Sequence, residues 1–570
     1  MSTEVGAEPA RADTRAARLD TPEILNVAAW LPLRAAEQPD ALAVAVARQA
    51  SGGRSVYDEL SAAQLEARSN AIAHGLVRAG ITRGVRTVLM VAPSPAFFAL
   101  TFALLKVGAV PVLVDPGMGI ANLGTCLAEA EPEAFIGVPK AHAARIALGW
   151  ARKTIRTKIM VGPWLPGCGQ TLARLEAQSP AEPFAAIEPE PEEMAAILFT
   201  SGSTGVPKGV ITPHRVFANQ VRLLQLCFGI EPGERDLSTF PLFALFGPAL
   251  GMAAIVPVMD ASRPAQADPR NLLQALSDYE CTNMFASPAL IDKLGRHCEA
   301  HEIALPSLRR AISAGAPASI PSLARFAPWL TEGAQVFTPY GATESLPVAV
   351  IGSDMILAET RHDTEAGRGV CVGEPVPGME VAIIPITDEA IASWSEVQPL
   401  PAGTGEIGEI VVAGPVVTPA YYAREASTAL AKIPDGDRIR HRMGDVGYID
   451  ARGRLWMCGR KAHRVETADG PLFTVPCEAV FNALDEVRRA ALVPLGPPGQ
   501  AVPVICVELM PGAEWAAVEP KLRAAAAAHE LTRSIERFMH HRGSFPVDVR
   551  HNSKIFREKL AVWAAKEAGR

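Results

Sequence analysis

The sequence is short of the features that mark several large protein classes. Its nine cysteines are scattered, with no CxxC pair and no Cys/His zinc spacing, which excludes a disulfide scaffold or zinc module and points to reduced thiols. Residues 1–20 are polar and charged and lack the apolar core of a signal peptide. A disordered N-terminus over 1–20 and a cytoplasmic location are therefore expected. The net charge of −7 offers nothing to nucleic acid or to an anionic membrane, and no internal repeat is present. One uncharged run, Leu242 to Met259, reaches the minimum length of a membrane helix, but Gly247, Pro248, Gly251 and Pro257 interrupt it. It reads as a buried helix and strand bordering an apolar pocket, so no transmembrane segment is expected. What is present is a chain of 570 residues, 49% hydrophobic and 20% charged, enough for a large core and more than one domain.

Hydrophobic periodicity organises the chain. From Ile24 a helical pattern begins. Leu60–Ala79 reads as an amphipathic helix that Gly80 stops. Val85–Ala92 reads as a buried strand, Ala96–Lys106 as a helix and Ala109–Val114 as a second strand, an arrangement that implies parallel strands with a right-handed crossover. Strand patterns return at Glu133–Val138 and Lys158–Val161. Farther on, Pro213–Phe228 and Pro288–His297 read as helices. Asp236–Phe243, Cys281–Phe285, Leu308–Ser313 and Val336–Tyr340 read as strands or strand and turn, and Gly405–Ala413 alternates like an antiparallel strand. After about residue 460, strands at Ala491–Pro494 and Val504–Leu509 and helices at Glu478–Leu484, Ala516–His529 and Leu531–Met539 suffice for a small α+β domain. The fold class is thus α/β: a large domain over 21–459, with mixed sheets layered with helices, and a small mobile α+β domain over 460–570.

The most informative stretch is Leu198-Phe-Thr-Ser-Gly-Ser-Thr-Gly-Val-Pro-Lys-Gly-Val210. It follows the apolar strand pattern Met194–Leu198. Between Thr200 and Gly209 it places four hydroxyls, three glycines and one lysine. Glycines bring backbone N–H groups close to a ligand, and hydroxyls, amides and a lysine together cradle phosphate oxygens. It is not a Walker loop, because Gly205 stands three residues before Lys208 with Pro207 between.

Thr-Ser-Gly-Ser-Thr-Gly-x-Pro-Lys-Gly resembles the signature of the adenylate-forming enzymes: acyl-CoA synthetases, luciferases and peptide-synthetase adenylation domains. The resemblance runs from about residue 25 to the C-terminus. It implies ATP and Mg²⁺ as cofactors and assigns roles to residues that match the family's motifs. Thr200, Ser201, Gly202, Ser203, Thr204, Gly205 and Lys208 hold phosphates. Gly315, Ala316 and Pro317 cradle adenine. In Tyr340-Gly341-Ala-Thr343-Glu344 the tyrosine stacks on adenine and the threonine meets the α-phosphate. The glutamate, with Thr200, holds the metal, as suits a hard cation. Asp445 binds the ribose hydroxyls. Arg460 contacts ribose and phosphate and opens the hinge to the small domain. Lys554, in Arg550-His-Asn-Ser-Lys554, bridges the substrate carboxylate and the α-phosphate, although the serine here directly follows the asparagine, unlike the family's usual spacing.

Two departures bear on the second half-reaction. Pro241-Leu-Phe-Ala244 lacks the histidine that many acyl-CoA synthetases carry after Pro-Leu-Phe. Ala462 stands where the family's hinge has Asp or Lys, and the stretch from His463 to Gly470 lacks its usual Lys-x-x-Gly, although Pro476-x-Glu478 is retained. Both weaken the case for a thioester-forming step with CoA. The chain is most similar to the β-lactone synthetases of bacterial long-chain olefin biosynthesis, in which a β-hydroxyl on the same acyl chain attacks the adenylate and no second substrate enters. That likeness implies a long-chain 2-alkyl-3-hydroxy acid as substrate. It also implies a complex with the reductase that supplies the acid and the β-lactone decarboxylase that consumes the product. Phe243 and Phe246 are candidate pocket residues, with plain core packing an equal alternative. No base for the hydroxyl is evident, and His463 reads as a surface residue. A fatty acyl-CoA or acyl-AMP ligase, and a non-catalytic nucleotide-binding or scaffold protein, stay open as alternatives.

Overall fold

The structure is a computed structural model that describes residues 23–49, 54–114, 118–200, 207–547 and 555–569. Near the N-terminus the helical pattern starts late. Asn26 accepts a hydrogen bond from the Ala28 N–H at 3.1 Å and caps a single 3-10 turn, Val27–Ala29, before the helix Trp30–Glu37. The helix Ala62–Arg78 is set by a reciprocal cap. Ser61 accepts from the Gln64 N–H, and the Gln64 side chain accepts from the Ser61 N–H. The helix Pro95–Lys106 is buried over nearly its whole length, as its apolar composition requires. Its terminal Lys106 is tolerated there because Glu66 lies 2.6 Å away.

These helices cover a seven-stranded sheet in the order Gln170–Thr171, Thr157–Met160, Ala134–Gly137, Arg86–Met90, Val110–Leu113, Met194–Phe199, Gly209–Pro213. Every neighbouring pair is parallel except the last. The expected strand–helix–strand unit is therefore present, closed by one antiparallel edge strand that follows the phosphate-loop sequence.

A second sheet, of 14 strands among the described residues, has a parallel block and an antiparallel block. The parallel block runs Leu42–Gln49, Ala253–Val256, Arg235–Ser238, Asn283–Ala286, Arg310–Ser313, Gln335–Ala342. The antiparallel block continues through Ser345–Gly352, Val370–Pro375, Leu455–Arg460, Arg438–Ile449, Gly408–Ala413 and Glu380–Ile384. The run Leu242–Met259 folds as two one-turn helices, Pro241–Ala244 and Gly247–Leu250, and the strand Ala253–Val256. Gly251, at φ +72°, makes the turn between them. Among the described residues no helix is long and apolar enough to cross a membrane.

The C-terminal segment builds a three-stranded sheet, Val487–Leu495, Val502–Leu509 and Arg537–His540, with helices Thr474–Asn482, Trp515–Ala528 and Arg557–Ala568. One expectation is corrected here. Leu531–Met539 is not a helix: it turns and then enters the strand Arg537–His540, parallel to Val504–Val507. Pairing with an already buried strand satisfies backbone groups that a short, weakly patterned helix would leave at its ends. Gly408–Ala413 is antiparallel as expected, and all six of its residues are buried.

Glu409 survives in that strand because Arg442 grips it with two bonds, Nε to Oε1 at 3.1 Å and Nη2 to Oε2 at 2.7 Å, with both side chains at most 2% exposed. Removing one member of such a pair strands the other charge in the core. We expect Glu409→Ala to lower unfolding stability by about 3–5 kcal/mol in a urea titration. A loss under about 1 kcal/mol, the scale of an exposed pair, would contradict this reading.

Candidate active site

In the second sheet, the C-terminal ends of two neighbouring parallel strands deliver the first group of candidate residues, where such sheets place ligands. Arg310–Ser313 ends just before Gly315, which adopts φ +97° in an exposed loop with Ala316 and Pro317. Gln335–Ala342 carries Tyr340 and Gly341 and turns back through Thr343 and Glu344 into Ser345–Gly352, with Ala342 paired to Ser345. Thr343 and Glu344 are thus the two-residue tip of a hairpin, Thr343 exposed and Glu344 half-buried. Gly341 is required by closeness, since a Cβ there would lie 2.5 Å from the Ser345 carbonyl oxygen.

Three of the predicted residues meet directly. Asp445 and Arg460 are register partners on antiparallel strands. Arg460 Nη1 lies 3.1 Å from Asp445 Oδ1 and donates to the Met443 carbonyl at 3.2 Å. The Tyr340 phenol donates to Asp445 Oδ2 at 2.8 Å. Asp445 is 7% exposed, so its charge needs these partners. Burial, and then the Asp445 carboxylate, push the Tyr340 phenol well above the usual tyrosine range, which keeps it a donor. Asp445 in turn holds the Arg460 guanidinium charged.

The second group brackets the phosphate-loop sequence. Thr200 N–H donates to the Lys208 carbonyl at 3.1 Å, and Lys208 N–H approaches Thr200 Oγ1 at 3.5 Å, so the two residues close the base of the loop. Ser201, Gly202, Ser203, Thr204 and Gly205 lie outside the described residues, as does Lys554.

Phe243 is buried in the core, and Phe246 packs half-buried against it. Phe243 stacks on Phe285 with centroids 4.5 Å apart, and Phe246 packs edge-on against Phe217. A cavity of about 190 Å³ opens at the ends of the neighbouring strands, lined in part by Val46, Pro93, Ser238, Val256 and Met259. His463 is half-buried and contacts Glu558 Oε1 at 3.2 Å, which corrects its reading as a surface residue.

Sequence reasoning missed three residues. Tyr421 donates its phenol to Glu344 Oε1 at 2.7 Å. Thr418 donates its N–H and its hydroxyl to the Glu344 carbonyl at 2.9 and 3.1 Å. Buried Lys432 donates to the Thr418 carbonyl at 2.6 Å. No spacing announces them; only the buried lysine, in the otherwise apolar Leu430-Ala-Lys-Ile433, was a usable signal.

Among the described residues no cluster of three His, Cys, Asp or Glu could hold a metal alone. A single carboxylate beside a phosphate cradle nonetheless fits Mg²⁺, which is bound through one or two carboxylates, substrate phosphates and retained waters.

The AMP-binding enzyme family matches residues 31–422. The chain is 52% identical over 554 residues to the olefin β-lactone synthetase of Xanthomonas campestris pv. campestris, an alignment covering 95% of this chain and 98% of that one. It is 52% identical over 552 residues to the olefin β-lactone synthetase of Stenotrophomonas maltophilia, with the same coverage. In fold it is similar to the amide bond synthetase McbA from Marinactinospora thermotolerans, with a TM-score of 0.75 at 23% identity over 94% of this chain and 99% of that one.

Burial pushes the Lys432 ammonium from the ordinary 10.5 down to about 7, with Glu344 opposing and Arg215 adding to the shift. His441, also buried, faces the same lysine. Between pH 7 and 10.5 the unfolded lysine therefore holds a proton that the folded one has released, and stability rises with pH across that window. We expect wild type to gain stability over Lys432→Met as pH increases there, by at most ~1.4 kcal/mol per pH unit. A pH-independent difference in chemical denaturation would refute it.

Proposed function

The chain belongs to the AMP-binding enzyme family, and from that premise we propose that it activates a long-chain 2-alkyl-3-hydroxy acid with ATP and closes it to a β-lactone. The 52% identity to two olefin β-lactone synthetases along nearly the whole chain carries this reading. The site geometry supports its first half. Tyr340, Asp445 and Arg460 form one hydrogen-bonded unit. The Asp445 oxygens retain lone pairs for ribose hydroxyls beyond those its partners use. Lys208, at the exit of the phosphate-loop sequence, supplies positive charge for the triphosphate, with Ser201 to Gly205 as the cradle, and Gly315 to Pro317 and Tyr340 flank the base.

Glu344 and Thr200 would hold Mg²⁺, which would supply positive charge against the triphosphate. Tyr421 occupies Glu344 Oε1, which leaves the second oxygen free to serve as a ligand. The substrate carboxylate attacks the α-phosphorus and the bond to pyrophosphate breaks. Lys554 offsets the negative charge gathered at that phosphorus, and Thr343 contacts the α-phosphate. The β-hydroxyl oxygen then attacks the acyl carbon, AMP leaves with the bonding pair, and the hydroxyl proton passes to solvent. Ala244 is buried and brings no polar group to the place where many relatives carry histidine, which favours an acceptor within the substrate over an entering thiol.

The division into 21–459 and 460–570, with Arg460 at the pivot, is part of this proposal, as are a role for Phe243 and Phe246 beside the alkyl chains and association with the supplying reductase and the consuming β-lactone decarboxylase. All nine cysteines are free, as suits a cytoplasmic enzyme.

The deciding assay incubates the protein with Mg²⁺, ATP and a synthetic 2-alkyl-3-hydroxy acid, with and without CoA, and reads the extract by proton NMR. We expect a β-lactone without CoA, with AMP accumulating; a thioester formed only with CoA would replace this reading by an acyl-CoA ligase. Asp445→Ala should weaken ATP binding, and an unchanged ATP Kd would remove its ribose role. Lys554→Ala should slow pyrophosphate release while ATP binding holds, and near-normal release would remove Lys554 from the adenylation step.

A further inference from the structure

A short strap, residues 418–422, joins two parts of the site that are far apart in sequence. On one side it pairs with the strand that leaves the phosphate loop. Ile211 N–H donates to the Ala420 carbonyl at 3.1 Å, Tyr422 N–H donates to the Gly209 carbonyl at 2.7 Å, and Tyr421 bridges Val210 in antiparallel register. On the other side Thr418 holds the Glu344 backbone with two bonds, and Lys432 holds Thr418 from beneath. The Tyr421 N–H is itself fixed by Thr428 Oγ1 at 3.1 Å.

Tyr421 is the one strap residue whose side chain reaches both charged groups. Its ring is 7% exposed. Its hydroxyl donates to Glu344 Oε1 at 2.7 Å, and the Lys208 ammonium stands 4.8 Å from the ring centroid, within the range of a cation–π contact. Among the described residues Lys208 pairs with no carboxylate, although Glu344 and Lys208 share this tyrosine.

We propose that Tyr421 is a positioning residue that aims the Glu344 carboxylate at the metal while its ring holds Lys208 apart from that carboxylate, so that both charges act on the triphosphate instead of on each other. The inference rests on the assignment of Glu344 to the metal and Lys208 to the phosphates. The phenol pins one carboxylate oxygen and leaves the other to coordinate; without it the carboxylate rotates freely.

The test is calorimetric binding of α,β-methylene-ATP, with Mg²⁺ and with EDTA, to wild type, Tyr421→Phe, Tyr421→Leu and Glu344→Gln, and to the Tyr421→Phe/Glu344→Gln double variant. Tyr421→Phe keeps the ring and loses the hydroxyl. It should weaken Mg²⁺-dependent binding about tenfold, the size of one hydrogen bond to a charged group, and leave binding in EDTA unchanged. Tyr421→Leu also loses the lysine's platform and should weaken binding in both conditions; if it fails to fold, the phenylalanine variant still decides. In the double variant the Tyr421→Phe loss should vanish, because its partner is already altered. Equal losses with Mg²⁺ and with EDTA, or a full Tyr421→Phe loss added to that of Glu344→Gln, would reduce Tyr421 to a structural residue. If Glu344→Gln loses Mg²⁺-dependent binding and Tyr421→Phe does not, the proposal alone fails. If Glu344→Gln binds like wild type, the metal assignment fails and takes the proposal with it.

Discussion

The pairing of Asp445 with Arg460 is the contact on which the arrangement depends. A carboxylate almost fully withdrawn from water is costly unless it is paired and hydrogen-bonded. Asp445 obtains both from residues that come from different parts of the chain: Arg460 from the adjacent antiparallel strand and Tyr340 from the hairpin at the end of the parallel block. Satisfying one buried charge therefore fixes the parallel block against the antiparallel block. It also fixes where the chain leaves the large sheet, because Arg460 is the last residue of its strand before the C-terminal segment.

The same logic recurs twice nearby. Glu409 is held by Arg442 and, at 3.1 Å, by Lys461. Glu344 is held by Tyr421 at its side chain and by Thr418 at its backbone. Acidic groups around the site are thus each oriented by neighbours before any ligand arrives, and such orientation lets charge act on phosphate without reorganising first. The parallel strands carry the candidate residues Gly315 to Pro317 and Thr343 to Glu344 on the loop and hairpin tip at their C-terminal ends, while Asp445 and Arg460 lie within antiparallel strands.

Much of this was legible in the sequence because it is local. The helices Ala62–Arg78 and Pro95–Lys106 and the strands around them show their period and caps within a few residues. Tyr340, Glu344, Asp445 and Arg460 stand in short motifs. Tyr421, Thr418 and Lys432 were not legible, because their roles are made by contacts across tens to hundreds of residues: Glu344 is 77 residues from Tyr421. Arg537–His540 was misread as helix for the same reason, since only its parallel partner, 33 residues earlier, makes it a strand. Gly408–Ala413 shows its antiparallel pairing in its alternation, while the burial of Glu409 depends on Arg442, 33 residues away.

The contacts between the C-terminal segment and the rest bear on whether that segment can move. Arg464 pairs with Asp388 at 2.6 Å, but Asp388 is 66% exposed, and exposed pairs contribute little. His529 reaches the Ala366 carbonyl at 2.8 Å, a single bond that water can replace. Within the segment the bonds are of another kind. Glu478 is buried and held by Arg557 through both carboxylate oxygens, and it also accepts the Leu492 N–H. The helix that begins at Arg557 is thereby locked to the segment's own core, just after the stretch that contains Lys554. Strong contacts inside and weak polar contacts across the boundary are what a rigid unit needs if it is to turn about Arg460 without distorting. The exceptions lie close to Arg460 in sequence: Lys461 bonds to buried Glu409, and the helix Thr474–Asn482 packs on the strand Leu455–Arg460, with Cys458 and Cys477 both buried.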